Sequence, residues 1–119
     1  MGTFSFDTVE EPGVLKMKLA GSFTPAEMVA FVTEHNRHVD AYGTADYRVW
    51  VDLVELAPLS PECADIIERA KRYSSGRPGF RGSAVLVSTP TIALQHRRTS
   101  VDAGVMSTEL ISSDESELR

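Results

Sequence analysis

Three times in this chain a Ser or Thr is followed directly by Pro at the head of a segment with helical apolar spacing: Thr24–Pro25, Ser60–Pro61 and Thr89–Pro90. The hydroxyl can accept a hydrogen bond from a backbone N–H left free in the first helical turn. Proline at the first helical position gives up no bond, because its nitrogen carries no proton. Each pair therefore marks a helix start. After Thr24 and Pro25 comes Glu27, which completes a capping box, and Met28, Phe31, Val32, His35, Val39 and Tyr42 then fall on one face until Gly43. After Ser60 the apolar stripe is Cys63, Ile66, Ile67, Ala70 and Tyr73, ended by "SSGRPG". After Thr89, residues Ala93, Leu94, Arg97 and Val101 share a face, which places Arg97 at the edge of a buried stripe, and Gly104 is the stop.

The segments between these helices read as strands. Residues 3–9 and 14–20 alternate apolar with polar side chains around the turn "EEPG", which predicts an antiparallel hairpin at a sheet edge. "YRVWVDL" is short, β-branched and aromatic, as an interior strand should be, and Trp50 is expected in the core with Phe31, Tyr42 and Tyr73. "GSAVLVS" is a near-continuous apolar run of the kind buried on both faces of a parallel sheet. Residues 105–111 form a last strand, and Asp114 with Glu117 caps at most one further helical turn. The order β-β-α-β-α-β-α-β predicts an α/β fold: a mostly parallel sheet of about five strands, an N-terminal antiparallel hairpin and three to four helices, as a single domain over residues 1–119.

Composition narrows the function classes. A lone cysteine, Cys63, excludes an internal disulfide and a multi-cysteine zinc site, and fits a reducing cytoplasm. No signal sequence is visible, and charges interrupt every apolar stretch before 18 residues, so no membrane insertion is expected. Net charge is −5 but uneven: residues 1–68 carry 4 basic and 12 acidic groups, whereas residues 69–101 carry 7 basic and no acidic groups. The acidic balance argues against nucleic acid, and the basic residues Arg69, Lys71 and Arg72 suit the last turns of a helix. "GRPG" leaves a helix and enters a strand, which is the context of neither an RNA-binding GxxG nor a phosphate loop. His35 and His38 share a helix face without a third ligand at matching spacing, so no metal site is assigned. His96 has no nucleophile whose proximity can be argued. No catalytic residue and no cofactor are predicted.

The element order, with "VWVDLVELAPLSPECADII" and "GSAVLVSTPTIALQHRR", resembles the anti-sigma-factor-antagonist-like (STAS-like) domains, within a broader group related to lipid-binding SEC14-like domains. The likeness spans nearly the whole chain. It implies a non-catalytic regulatory domain that works through protein contact, with a partner such as a kinase-like anti-sigma factor. In typical members a strand ending in Asp-Leu is followed some eight residues later by a Ser-containing turn that opens a helix, and a Ser there is phosphorylated. Counted from Asp52 and Leu53, that turn falls on Ser60, Pro61, Glu62 and Cys63, so Pro61 and Glu62 occupy the positions usually held by Ser. Proline cannot accept a phosphate, and Glu62 offers a fixed negative charge at a helix N-terminus. Ser60 is read as an N-cap, and with Glu62 it forms the candidate regulatory turn.

Arg97 and Arg98 form the candidate anion or partner surface, because a planar guanidinium suits phosphate and carboxylate. The alternative reading is a small anionic ligand or lipid-binding domain with a pocket near these two arginines. Self-association, as a dimer, is also expected if apolar sheet or helix surface is left uncovered.

Overall fold

The computed structural model describes residues 1–104 and 108–118. Five strands and three α-helices follow in the order β1 (Thr3–Asp7), β2 (Val14–Ala20), α1 (Pro25–Asp40), β3 (Tyr47–Asp52), α2 (Pro61–Ser75), β4 (Phe80–Leu86), α3 (Pro90–Ala103) and β5 (Glu109–Ser112). A single 3-10 turn, Glu115–Glu117, comes after β5. The expected start of β5 at Val105 lies outside the described residues.

All three helix starts are built as the Ser/Thr–Pro pairs dictate. Thr24, Ser60 and Thr89 are extended at the N-cap, and their hydroxyls accept from Glu27 N, Cys63 N and Ile92 N. Glu27 closes the capping box by accepting from Thr24 N at 2.9 Å, and that bond holds its carboxyl below the usual glutamate range. At the other end of α3, Gly104 takes the left-handed conformation (φ 76°) in which a side chain would be strained.

The sheet order is β1-β2-β3-β4-β5, with β1 antiparallel to β2 and every later pair parallel. Right-handed crossovers that always step in the same direction deposit every helix on the same side. The helices accordingly cover the face bearing Leu15, Met17, Leu19, Val49 and Val85, which pack with Phe31, Ile67 and Ile92 into one core. Phe4 and Phe6 extend that core from the edge strand, and Phe6 stacks on Phe31 at 5.5 Å. Tyr47 is buried at the foot of β3 with its Oη donating to the carbonyl of Ser74 at 2.5 Å; burial pushes its phenol up to about 12.

Three expectations are corrected. Trp50 is not a core residue: it alternates with Tyr47, Val49 and Val51 and is half-buried on the sheet face opposite the helices. β4 is not buried on both faces, because sequential strand order leaves one face without helices, where Gly82, Ala84 and Leu86 are only partly covered. On α3 the buried stripe is Ile92, His96, Thr99, Ser100 and Ala103, while Leu94 and Val101 are each 62% exposed.

Candidate functional site

β2, β3 and β4 end at the same edge of the sheet, where α1, α2 and α3 begin. The connection from β3 to α2 crosses this edge as the segment 53–60. Leu53, Leu56 and Leu59 are buried at every third position, so apolar anchors pin the segment from below. Its backbone is tied on both sides. Gly21 N donates to Glu55 O (2.9 Å) and Ala57 N to Gly21 O (3.0 Å), joining the segment to the end of β2. Ser88 Oγ donates to Val54 O at 2.8 Å from the start of the α3 loop. Gln95 on α3 clamps Leu59 twice, accepting from its N–H and donating to its carbonyl, both at 2.9 Å. Lys18 forms an ion pair with Glu55. Val54, Glu55, Pro58, Ser60, Pro61 and Glu62 remain exposed on this fixed scaffold.

Ser60 Oγ accepts from Cys63 N at 3.1 Å and so serves as the cap of α2. Truncating it to alanine leaves that N–H without its partner and is expected to cost about 1 kcal/mol. Urea unfolding of Ser60→Ala beside wild type checks this; an unchanged midpoint would show the hydroxyl does no capping in solution. Glu62 is exposed in the first turn of α2, where its charge complements the helix dipole.

Arg97 and Arg98 are both exposed but face different surroundings. Arg98 borders the groove between α2 and α3, with Leu59, Pro61, Ala64 and Leu94 as its apolar part and Asp65, Glu68 and Asp102 as its acidic rim. Arg97 borders a separate groove with Ser88, Thr89, Ser112 and Glu117. Arg98 thus shares a groove with Pro61, the residue between Ser60 and Glu62, while Arg97 borders a different one.

A polar cluster that the sequence reading did not single out lies beneath α3. Lys71 of α2 reaches inward and donates to Glu109 Oε1 (2.9 Å), Ser100 Oγ (2.6 Å) and the carbonyl of His96 (3.2 Å). Glu109 also accepts from Ser100 Oγ and from Ser83 Oγ, the latter at 3.1 Å. The Lys71 and Glu109 side chains are only 11% and 4% exposed. Burial pulls the Lys71 amine down, and the Glu109 charge pushes back. Beside the pair lies a cavity of about 40 Å³ walled largely by Met17, Phe31, Val49 and Val85. His96 borders it, with Nε2 buried and without a hydrogen-bonding partner among the described residues, and burial drives its imidazole down to about 3.

His35 and His38 are not brought into a ligand set. His35 is buried with Nδ1 2.8 Å from Asn36 Oδ1, whereas His38 lies against the Phe6 ring at 4.6 Å. Among the described residues no three His, Cys, Asp or Glu side chains gather around a common point, and no helix is long and apolar enough to cross a membrane.

An edge hairpin followed by three right-handed βαβ crossovers, all stepping one way, defines the STAS-like, SpoIIAA-like α/β fold. Solved structures share it, among them two from bacteria. A protein of the DUF3478 family with a SpoIIAA-like fold from Shewanella loihica aligns with a TM-score of 0.67 at 14% identity, over 98% of this chain and 90% of the other. An anti-sigma factor antagonist from Mycobacterium paratuberculosis aligns with a TM-score of 0.64 at 15% identity, over 99% of this chain and 91% of the other. No family model matches the sequence. No curated protein matches it either.

Proposed function

We propose that this is a non-catalytic regulatory domain that acts through protein contact in the cytoplasm. Its partner face is the segment 55–62 together with the groove between α2 and α3. The observation that carries this reading is the rigid presentation of an exposed, mixed surface. The segment is tied to β2, α3 and the core, yet Val54 and Leu94 keep apolar side chains 42% and 62% exposed beside Arg98 and an acidic rim. A preorganised turn with an apolar centre and charged edge suits a protein partner, since little ordering entropy is lost on docking. Sheet order supports the same view. Open α/β sheets place small-ligand crevices where strand order reverses, and here it never reverses. The anti-sigma factor antagonist among the solved structures of this fold makes a regulatory protein the partner class to test first.

In this reading Ser60 caps α2 and carries no regulatory phosphate, and the fixed charge of Glu62 stands in its place. Arg98 contributes to the partner face, whereas Arg97 lies outside it on the separate groove with Ser88 and Glu117. A photo-crosslinking residue at Leu94, with another at exposed Val29 on α1 as control, tests the face in cells of the native host. Adducts to one protein from position 94 alone, lost in Arg98→Glu with an unchanged melting temperature, are expected. Equal labelling from both positions, or none from 94, would overturn the assignment.

A further inference from the structure

The cavity beneath α3 has polar groups in its wall. Ser74 of α2, Ser83 of β4, Glu109 of β5 and His96 of α3 border it, and apolar side chains make up most of the remainder. His96 is 2% exposed, and its Nε2 is buried without a hydrogen-bonding partner among the described residues. A ring nitrogen taken out of bulk water and left unmatched forfeits the bond it made there. Cavities that stay dry are apolar on every side, and this one is not.

We propose that this cavity is an internal hydration site, in which ordered water bonds to His96 Nε2 and to the hydroxyl and carboxylate acceptors around it. The space fits that occupant. A buried water takes roughly 10–15 Å³ of such volume, so a cavity of about 40 Å³ holds about two or three and has no room for an acyl chain.

The acceptors have capacity left. Ser83 Oγ donates its proton to Glu109 Oε2 at 3.1 Å and keeps its own lone pairs. Ser74 Oγ donates to the carbonyl of Lys71 at 3.3 Å and keeps its own as well. With Nε2 these groups offer the three bonds that a buried water ordinarily makes. Water also serves either neutral tautomer of His96, accepting from Nε2 when that nitrogen carries the proton and donating to it when it does not. A fixed carbonyl or ammonium would serve only one of them. The bound water thereby joins α3 to β4 and β5 beside the direct bonds of Lys71. A few confined waters satisfy a neutral imidazole, whereas a second positive charge beside Lys71 needs bulk solvent.

A high-resolution crystal structure of the whole chain should show a density peak about 2.7–3.2 Å from His96 Nε2, inside the cavity. Magnetic relaxation dispersion of the solvent should then count at least one long-lived water fewer in His96→Met than in wild type, because methionine fills irregular space and brings no ring nitrogen. An empty cavity in the crystal, or a protein group bonded to Nε2, would overturn the proposal. So would the same number of long-lived waters in folded His96→Met. If His96→Met fails to fold, Val85→Ile adds a methyl group at the cavity wall with His96 in place. It should lose a long-lived water too, and an unchanged count there would overturn the proposal equally.

Discussion

Lys71→Ala should lose about 3–5 kcal/mol of unfolding free energy, because it leaves the Glu109 carboxylate charged and buried without its cation. The size follows from the geometry. Lys71 spends its three protons on Glu109, Ser100 and the His96 carbonyl, so its removal strands acceptors on two elements at once. The pair's net worth is a different quantity. Taking both charges out of water costs nearly as much as their attraction returns, so Lys71→Met with Glu109→Leu should fall within about 2 kcal/mol of wild type. The hydroxyls of Ser83 and Ser100, which lose an acceptor, account for much of that remainder. Urea denaturation of the two single variants and the double one gives the coupling. A cost below about 1 kcal/mol for Lys71→Ala would mean that Glu109 reaches water in solution.

This cluster also marks where sequence reasoning stopped. The helix starts were legible because an N-cap and a proline act locally: the residues that form Thr24, Ser60 and Thr89 caps lie within three positions of one another. Strand order was legible for a related reason, since β-α alternation and crossover handedness leave few topologies. The buried face of α3 was not. Reading apolar side chains as inward selected Leu94 and Val101, but the inward residues include His96, Thr99 and Ser100. They are inward because Lys71 and Glu109, from α2 and β5, supply partners that no window along α3 contains. Trp50 failed for the opposite reason. Its chemistry is that of a core residue, and only the one-sided placement of helices, a property of the whole sheet, puts it outside. Of the candidate site, the Ser60 cap follows from two adjacent residues. The divergence of Arg97 and Arg98 into two grooves depends on how α3 is rotated against α2 and β5.

His96 makes acid a test of the same interior. Its folded-state pKa is lowered from 6.5 to about 3, first by burial and then by the Lys71 charge. In the unfolded chain the imidazole binds a proton as pH falls through 6.5, whereas in the folded chain it stays neutral. The unfolded state therefore holds more protons throughout the window from about 6.5 to about 3, and stability falls as the solution is acidified. Every charged group facing His96 sharpens this or leaves it intact. Lys71 opposes a second positive charge, and the Glu109 carboxylate is already engaged by Lys71, Ser83 and Ser100. Between pH 7 and pH 5 the loss from His96 alone should be about 2 kcal/mol. His35, also lowered by burial, adds in the same direction. The lowered carboxyls of Asp7, Glu27, Glu34 and Asp114 act mainly below pH 5, since their ordinary values are 3.8 to 4.5. Denaturation of wild type and His96→Gln at pH 7 and pH 5 isolates the term. Glutamine has no proton to take up, so the variant should lose about 2 kcal/mol less between the two values, whatever its stability at pH 7. Equal losses in both proteins would mean that His96 takes up its proton in the folded state, which requires α3 to lift from the Lys71–Glu109 pair and admit water.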